Sequence, residues 1–391
     1  EKRKFAKMFH DALVPFAERR IIKMKIGILT YHACLNYGAC LQAYALQTSI
    51  KKKYSDCRII NYQSDILREI SDVFCRRPKH PKEIVKNITR IPYAGQLGKR
   101  QKYFEYFYNE VLEVTDLCRT DAEVQKQANE FDCIVCGSDQ IWNMDPAIRY
   151  ETPLYFLNFP KKQRRVSYAA SFGPSIKTSI ARENEFLPWL KEFDRILVRE
   201  ENGQEYLKSK GIESTITVDP TLLLTQDEWK KVAVSDRLVK EPYILLFSWN
   251  GSKEAVKAAK KVEKLLGCKA IQIVAPPRAM FSEVDRKLDV GPREFLRLIQ
   301  DAEFVITNSY HGTVFSSIFE KPFLSIQGNA VDARRKTTLE ELGLENHLVS
   351  YNDITTSMIE EMMSENYSVS KDKIRRKRET SLSLLYEAIG E

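Results

Sequence analysis

A short buried strand that turns directly into a helix is the feature that most restricts the fold of this chain. The apolar run Phe304-Val305-Ile306 is brief, rich in β-branched residues and followed by polar residues, as in a strand inside a parallel sheet. Apolar residues then recur at helical spacing over residues 312–319, and Lys321-Pro322 ends the helix. Because α/β proteins bind ligands at such turns, the sequence predicts an α/β fold with a site near residue 311.

His311 lies at this turn, immediately before the predicted helix. The free N–H groups and the positive dipole end of that helix favour a bound anion. The same helix end should lower the pKa of the imidazole and keep it neutral, whereas a bound phosphate should raise the pKa and protonate it. A histidine that only caps the helix or packs in the core is the alternative. The strand-to-helix position favours a functional histidine.

Strands and helices alternate in two blocks along the 391 residues, and this length favours two domains. The predicted strands cover residues 25–30, 58–62, 131–136, 166–171 and 194–199, and then 243–249, 270–275, 304–307 and 323–326. This pattern predicts two Rossmann-like α/β domains facing a cleft. The predicted divisions are an N-terminal extension at 1–23, an N-terminal domain at 24–218 with a helical insert at 63–130, a C-terminal domain at 219–365 and a C-terminal helix at 366–391. Residues 1–23 could form an amphipathic helix or belong to an unrelated upstream segment.

The composition predicts a cytoplasmic protein. The charged start lacks the apolar core of a secretory signal, no apolar run is long enough to span a membrane, and the eight cysteines have no disulfide framework spacing. Cys133 and Cys136 lie on opposite faces of a predicted strand and are interpreted as packing residues. The net charge of +8, partly clustered at 161–165, 334–336 and 371–378, could hold the protein at the inner face of an anionic membrane or attract an anionic substrate. No recognition motif for nucleic acid accompanies the charge.

Two polar segments follow predicted strands of the first domain. The segment 31–39 places a glycine at a helix start, but it does not match the dinucleotide-binding pattern, so no nicotinamide cofactor is predicted. The segment 137–143 combines a carboxylate, amides and an indole, a mixture that suits a sugar ring and its hydroxyl groups. A turn in which Asp139 only caps a helix is the alternative.

Arg199 ends another predicted strand, just before a helix. Its planar guanidinium could grip a phosphate or a carboxylate with two hydrogen bonds, and a salt bridge to a neighbouring acid is the alternative. Arg199 and His311, at helix starts of two domains that face one cleft, indicate a site for a small anion.

Taken in order, six short segments make the chain resemble the polysaccharide pyruvyl transferase family from residue 24 to about residue 345. They are Asn36-Tyr37-Gly38-Ala39 with the following Leu41 to Leu46, Gly137-Ser138-Asp139-Gln140-Ile141-Trp142-Asn143, Ser167-Tyr168-Ala169-Ala170-Ser171-Phe172-Gly173, Val198-Arg199-Glu200, Val218-Asp219-Pro220-Thr221, and Ser309-Tyr310-His311-Gly312-Thr313. The resemblance implies a fold like that of the B-type glycosyltransferases. It also implies transfer of pyruvate from phosphoenolpyruvate to a sugar of a cell-surface polysaccharide such as a capsule or exopolysaccharide, as a cyclic ketal with release of phosphate.

The resemblance further implies roles for individual residues. His311 is expected to be the general acid or a phosphate ligand, and Asp139 the base. The residues expected around phosphoenolpyruvate are Arg199, Ser309, Tyr310, His311, Gly312, Thr313 and Arg293. Those expected around the acceptor, a sugar on a lipid-linked oligosaccharide, are Asn36, Tyr37, Gly38, Asp139, Gln140, Trp142 and Asn143. Phosphoenolpyruvate is a co-substrate, and neither a metal nor another cofactor is expected.

The chain departs from the family just before the histidine, where several members have Arg-Leu and this chain has Ser309-Tyr310. A second cationic clamp is therefore expected elsewhere, at Arg293, Arg278 or Lys321. A glycosyltransferase with a nucleotide-sugar donor is one alternative function, for which Glu303 or Glu320 would bind the ribose. A non-catalytic glycan-assembly protein of the same fold is the other.

Overall fold

The structure is a computed structural model that describes residues 22–75, 78, 80–145, 152–173, 176, 180–248, 252–275, 283–327 and 333–390. The helix that the sequence suggests for residues 1–23 falls outside these residues, except that residues 22 and 23 belong to the first strand. The described chain forms two separate parallel sheets with helices around them.

Within the described residues, the first sheet has seven parallel strands in the order β3-β2-β1-β4-β5-β6-β7. These are β1 (Ile22–Leu29), β2 (Tyr54–Tyr62), β3 (Val114–Cys118), β4 (Cys133–Cys136), β5 (Arg164–Ala170), β6 (Arg195–Val198) and β7 (Thr215–Ile216). The associated helices are α1 (Tyr37–Lys51), α2 (Asp65–Ser71), α3 (Pro81–Arg90), α4 (Ala94–Tyr106), α5 (Asp121–Ala128), α6 (Leu187–Leu190) and α7 (Glu201–Ser209).

The second sheet has six parallel strands among the residues described, in the order β10-β9-β8-β11-β12-β13. These are β8 (Tyr243–Phe247), β9 (Lys269–Gln272), β10 (Asp285–Arg286), β11 (Phe304–Thr307), β12 (Phe323–Gln327) and β13 (Leu348–Ser350). The remaining helices are α8 (Gln226–Val232), α9 (Lys253–Leu266), α10 (Pro292–Asp301), α11 (Tyr310–Ile318), α12 (Ala333–Leu342), α13 (Thr356–Ser364) and α14 (Ser368–Gly390).

Both sheets have the strand order of a Rossmann fold, which confirms the predicted pair of Rossmann-like α/β units. In each sheet the order reverses beside the first strand, between β1 and β4 and between β8 and β11. Loops that leave strands on either side of such a reversal separate and open a crevice. The two crevices are therefore the positions at which a fold of this kind binds ligands.

The central strands are buried on both faces because helices cover both sides of the sheets. On β4, Cys133 packs in the core on one side of the sheet and Cys136 in the core on the other. Burial raises the pKa of both thiols, and the Cys136 thiol donates to the Tyr155 carbonyl. Both cysteines are packing residues, as their spacing on a strand predicts.

The insert at 63–130 is not wholly helical, which corrects the sequence prediction. Helices α2 to α5 lie within it, but β3 pairs with β2 at the edge of the first sheet. This strand is short and exposes Leu117, so its apolar pattern resembles that of a half-buried helix turn. Edge strands of this kind bury one side only and leave a weak sequence signal.

The C-terminal helix α14 packs against the first sheet although it follows the second. The Ala388 carbonyl accepts from Nε of Arg164 on β5, and the Tyr386 hydroxyl donates to the Ser49 carbonyl of α1. The last helix therefore connects the second domain to the first sheet.

No helix among the described residues is both long and apolar enough to cross a membrane.

His347, a fully buried histidine behind the second sheet, makes the stability of the fold sensitive to acid. Its Nδ1 donates to the Phe323 carbonyl at 2.9 Å, and its Nε2 is buried without a hydrogen-bond partner among the described residues. Burial lowers the pKa of His347 from 6.5 to about 4. Between these values the unfolded chain binds a proton that the folded chain does not, so stability falls as the pH falls.

The wild-type chain should therefore lose about 3 kcal/mol more unfolding free energy between pH 7.5 and pH 4 than the His347→Gln variant. Glutamine can donate to the Phe323 carbonyl but has no proton to gain. Urea unfolding at a series of pH values measures the difference. Parallel stability curves for the two proteins would show that His347 does not titrate on unfolding.

Candidate functional site

A cavity of about 590 Å³ lies between the carboxyl ends of the two sheets. The first sheet contributes the loops after β1 and β4, and the second contributes the loops after β8 and β9. The residues from these loops include Tyr31, Cys34, Leu35, Asn36, Asp139, Phe247, Ser248, Ile273, Val274 and Ala275. Helices α3 and α4 cover the cavity with Lys86, Arg90, Leu97 and Arg100. The cavity thus opens at the strand-order reversal of the first sheet and faces the loops after β8 and β9 of the second.

Beside this cavity, three charged or titratable side chains from three distant segments meet. Nη1 of Arg199, just after β6, lies 3.0 Å from Oδ2 of Asp219, and Nε2 of His311 lies 3.7 Å from the same oxygen. The side chains of Asp219 and Arg199 are almost fully buried, and that of His311 is 13% exposed. Asp139, which lines the cavity, is close enough that its charge acts on both Arg199 and His311. We call Arg199, Asp219 and His311 the RDH cluster.

Arg199 has one donor available despite its ion pairs. Nε donates to Glu200 at 2.7 Å and Nη1 donates to Asp219, which is the salt-bridge arrangement that the sequence left open as an alternative. Nη2, however, is buried without a hydrogen-bond partner among the described residues, and so is Nε2 of His311. Two buried polar nitrogens without a partner are costly unless a ligand oxygen satisfies them.

Burial dominates the electrostatics of the RDH cluster. Burial lowers the pKa of His311 more than the carboxylates of Asp219 and Asp139 raise it, so the imidazole is neutral at pH 7. This is the direction that the helix-end argument predicts, but its main cause is desolvation. Burial also acts to raise the pKa of Asp219, yet the charges around it and the hydrogen bonds from Thr221 lower it overall. The cluster therefore holds an ionised aspartate, a charged arginine and a neutral histidine.

The start of α11 is built to hold His311 in place. Ser309 caps the helix by accepting from the Gly312 N–H, and the Thr313 hydroxyl donates to the Ser309 carbonyl and contacts the Ser325 hydroxyl. A Cβ on Gly312 would come within 2.2 Å of Oγ1 of Thr307. The turn is thus stabilised by contacts of Ser309, Gly312 and Thr313 within the second domain.

Tyr310 contacts two arginines at this turn. The guanidinium carbon of Arg199 lies 5.2 Å from the centre of its ring, and that of Arg334, near the start of α12, lies 5.5 Å from it. The charge of Arg334 also acts to lower the pKa of His311. A second cation is therefore present near the histidine, although position 309 carries a serine.

Gly38 brings the first domain into direct contact with His311. A Cβ at this position would lie 2.0 Å from Nδ1 and 2.3 Å from Cε1 of the imidazole. The glycine starts α1, where Asn36 accepts from the N–H groups of Gly38 and Ala39. The requirement for glycine here comes from the approach of the other domain.

A Gly38→Ala substitution should displace the His311 ring and weaken binding of phosphoenolpyruvate, the ligand that the sequence predicts for this histidine, by roughly tenfold to a hundredfold, since a shift near 1 Å has effects of that size in preorganised sites. Calorimetric titration measures the affinity. Gly95→Ala on α4 is the matched control, because a Cβ there meets no atom within 4 Å. Equal binding by the Gly38 and Gly95 variants would show that the ring position does not matter.

Asp139 and Gln140 follow β4 and are half-buried, and Asp139 lines the cavity. The backbone of Asp139 has a φ of 70°, a left-handed conformation that is unfavourable for residues other than glycine and is often found at functional sites. One carboxylate oxygen accepts from the Gln140 N–H, and the side chain borders the cavity. Asp139 is thus placed where a base or a sugar-binding carboxylate could act.

Trp142 and Asn143 do not line the cavity, which corrects their assignment to the acceptor site. The Trp142 indole is fully buried, stacks on Phe156 with ring centres 5.6 Å apart and donates to the Tyr155 carbonyl. The Asn143 side chain is buried and donates to Gln140. The indole in this segment supports the loop from the core and cannot offer a face to a sugar.

Tyr37 joins the two domains. Its hydroxyl donates to the Val290 carbonyl and its ring stacks on Phe295, with centres 4.7 Å apart. The ring is 4% exposed, although it borders the cavity. The hydroxyl of Tyr37 is therefore already engaged in a hydrogen bond to the second domain.

Arg293 lies away from the RDH cluster, which corrects its assignment to the phosphoenolpyruvate site. Its Nε donates to the Val232 carbonyl, and its guanidinium lies over Tyr106. Lys321 donates to the Gln300 carbonyl at the opposite end of the sheet. Arg278, the third position considered for a second clamp, lies outside the described residues. Arg334 is the cation that the fold places near His311.

Sequence reasoning gave Asp219 and Arg334 no role in the site. Asp219 belongs to one of the six segments that carry the family resemblance, but it was used only as the boundary between domains. Arg334 lies in the basic run 334–336, which resembles an ordinary solvated surface. A polar residue directly after the last strand of the first sheet was the signal for Asp219, whereas no local pattern singles out Arg334.

Comparison with known proteins agrees with this architecture. The chain superposes on a UDP-GlcNAc 2-epimerase from Neisseria meningitidis, solved bound to UDP-GlcNAc, with a TM-score of 0.51 and 12% identity over 94% of this chain and 99% of that one. A protein of Listeria monocytogenes described as a UDP-N-acetylglucosamine 2-epimerase gives a TM-score of 0.50 with 11% identity, over 90% and 91% of the two chains. At this identity the similarity concerns the fold alone, which is the predicted glycosyltransferase-B fold.

The sequence itself is more specific. No curated protein matches it. A family model described as "Polysaccharide pyruvyl transferase" matches residues 36–328, a stretch that includes the loop with Gly38, the loop with Asp139 and all of the RDH cluster. The chain therefore belongs to the polysaccharide pyruvyl transferase family.

Proposed function

We propose that this transferase moves the pyruvyl group of phosphoenolpyruvate onto two hydroxyl groups of a sugar, forming a cyclic ketal and releasing phosphate. The observation that carries the proposal is a pair of buried nitrogens, Nη2 of Arg199 and Nε2 of His311, for which the described part of the chain offers no hydrogen-bond partner. Both can donate to an anionic oxygen. Phosphoenolpyruvate, with a phosphate and a carboxylate on three carbons, suits such a compact pair of donors.

The reaction has a definite proton balance. Protonation of the methylene carbon of phosphoenolpyruvate gives a methyl group and a cation at the neighbouring carbon. One sugar hydroxyl adds to that carbon, phosphate leaves with its bridging oxygen, and the second hydroxyl closes the ketal. The two hydroxyl groups release two protons. One of them balances the proton added to the methylene carbon, and the other goes to phosphate or solvent. A general acid and a base are therefore needed.

His311 and Asp139 fit these two roles in the proposal. His311 contacts Gly38 of the first domain and lies 3.7 Å from Asp219. The Asp219 carboxylate would therefore stabilise the protonated form of His311. Asp139 lines the cavity from the first domain, where it could accept a hydroxyl proton. Asp219 is a positioning residue that holds Arg199 and balances its charge.

Binding of the substrate phosphate would protonate His311 and so prepare it to act as the general acid. Because burial keeps free His311 neutral and an adjacent phosphate dianion favours the imidazolium, binding should take up one proton. Above pH 7 the phosphate is already a dianion. The affinity for phosphoenolpyruvate should then fall by up to tenfold per pH unit until the pKa of His311 in the complex is passed.

Calorimetric titration in two buffers of different ionisation enthalpy measures this proton uptake directly. The wild-type chain should take up one proton between pH 7 and pH 8, and His311→Gln should take up none. Uptake that persists in the variant would assign the proton to another group.

Arg334 is proposed as the second cation that holds the phosphate, in place of the arginine that several family members have two positions before the histidine. Its guanidinium contacts the ring of Tyr310, as that of Arg199 does. Arg334→Gln should raise KM for phosphoenolpyruvate about tenfold, the size expected for a charge-assisted hydrogen bond. Lys336→Gln, an exposed change on the same helix, should leave KM unchanged.

A nucleotide-sugar donor receives less support from the site. Glu303, a candidate for ribose binding, is exposed just before β11 and therefore at the opposite end of the sheet from the cavity. Glu320 pairs with Lys371. Neither carboxylate borders the cavity, so the residues that would select a ribose are not where that function needs them.

The decisive experiment incubates the purified chain with phosphoenolpyruvate and a panel of nitrophenyl glycosides that includes a galactoside. We expect phosphate release that depends on the glycoside and a product whose mass equals the glycoside plus pyruvic acid less one water. Thermal shift with nucleotide-sugars runs in parallel, since a ligand at about 100 times its Kd adds about 2.7 kcal/mol of stability. Stabilisation by a nucleotide-sugar without turnover of phosphoenolpyruvate would favour the glycosyltransferase, and stabilisation by neither would favour a non-catalytic role.

A further inference from the structure

Helix α3, in the insert of the first domain, presents an apolar face to solvent. Ile84, Val85, Ile88 and Ile91 follow the spacing i, i+1, i+4 and i+7, so they share one side of the helix and its continuation. They are between 48% and 64% exposed. Most large apolar side chains of the described residues are buried, and a cluster of four exposed ones marks an interaction surface. We call these four residues the α3 apolar face.

The orientation of α3 is set by the opposite side of the helix. The Asn87 side chain donates to and accepts from the backbone of Cys75, and Nη1 of Arg90 donates to the Val73 carbonyl. Lys86 and Arg90 line the central cavity. The polar side of α3 is therefore fastened over the substrate cavity, and the α3 apolar face necessarily points away from the protein.

The charge of the chain is concentrated around this helix. Residues 76–102 hold nine lysines and arginines and one acidic residue, which leaves 52 basic and 52 acidic residues in the rest of the chain. This one segment therefore accounts for the whole net charge of +8. An apolar helix face flanked by basic residues is the composition of helices that lie in the interface of an anionic bilayer.

We propose that the α3 apolar face inserts into the surface of an anionic lipid bilayer and holds the cleft at the membrane. The bilayer supplies both complements that this surface lacks: an apolar layer for the isoleucines and the valine, and negative charge for the exposed Lys82 and for the basic residues at 76, 77 and 79 that precede α3 in the sequence. A second copy of the chain supplies only the first, because a two-fold contact would bring two segments of the same strong positive charge together. If the acceptor is lipid-linked, which rests on the proposed function, this arrangement brings its sugar to the cavity beneath α3.

Vesicle flotation with the full chain tests the proposal. Wild type should bind vesicles of phosphatidylcholine with roughly one-third phosphatidylglycerol, and bind phosphatidylcholine vesicles at least tenfold more weakly. Ile88→Ser combined with Ile91→Ser should lower binding to the anionic vesicles about tenfold or more. Met363→Ser combined with Val369→Ser, two exposed apolar residues elsewhere, should leave it unchanged.

A separate variant tests how much the basic residues contribute to vesicle binding. Lys82→Gln, at the exposed start of α3, should weaken binding to anionic vesicles about fivefold, whereas Lys371→Gln on α14 should have no effect. Circular dichroism confirms that each variant is folded.

Three results would overturn the proposal: no vesicle binding by wild type, equal binding by the Ile88/Ile91 variant, or a dimer in sedimentation equilibrium that this variant dissociates. Turnover of a soluble glycoside is measured on the same proteins and should be unaffected by the Ile88/Ile91 change. Membrane binding and the proposed reaction can therefore fail independently.

Discussion

Replacing His311 by glutamine is expected to lower kcat by about 10²–10⁴-fold while phosphoenolpyruvate still binds within about tenfold of the wild-type affinity. Glutamine keeps an N–H donor for the phosphate but cannot deliver a proton to carbon. The loss should therefore fall on the chemical step. Steady-state phosphate release gives kcat, and calorimetry gives the affinity.

The matched control is His347→Gln, which changes another buried histidine of the second sheet at a distance from the cavity. Measured near pH 7.5, where both forms of residue 347 are neutral, this variant should retain the wild-type kcat. A His311→Gln protein that keeps the wild-type kcat at saturating phosphoenolpyruvate but binds it more than a hundredfold more weakly would refute the role of His311 as acid and leave it as a ligand only.

Replacing Arg199 by methionine should destabilise the fold by about 3–5 kcal/mol and abolish phosphoenolpyruvate binding. The change leaves Asp219 fully buried without its main cationic partner. An unpaired buried carboxylate costs far more than the ion pair contributed. Denaturant unfolding measures the stability, and calorimetry measures the binding.

The double variant Arg199→Met with Asp219→Asn separates the two effects. It should recover most of the stability, because an amide can keep the hydrogen bonds from Thr221 without carrying a buried charge, but it should not recover binding. Arg375→Met breaks an exposed ion pair on α14 and should leave both properties unchanged. A single Arg199 variant as stable as wild type would show that Asp219 is not ionised in the folded chain.

All nine predicted strands overlap strands of the structure. Strands β1, β4, β8 and β11 are buried on both faces, so they appear in the sequence as continuous apolar runs that polar loops interrupt. Strands β7 and β10 have two residues each and β13 has three, and such lengths carry no periodic signal. The edge strand β3 has five residues but is only partly buried, so it falls within the predicted helical insert.

The site divides in a similar way. His311 and Arg199 follow recognisable strands, and the position after a parallel strand is informative by itself. Trp142 follows a strand too, but whether an indole faces a cavity or the core depends on Phe156, which lies in a segment that no local pattern connects to it. The contacts of Arg293 with the Val232 carbonyl and the Tyr106 ring likewise depend on distant segments that no local pattern connects to it.

The sequence by itself determined the family, the two parallel α/β sheets and the histidine and arginine at strand ends, because each of these depends on residues close together in the chain. Only the tertiary structure decided that Asp219 joins them, that Gly38 touches His311 across the cleft, and that Arg334 is the nearby second cation. The α3 apolar face also required the fold, since exposure is a property of what packs against a helix. Local patterns specify which elements form, while packing between distant segments decides which side chains meet.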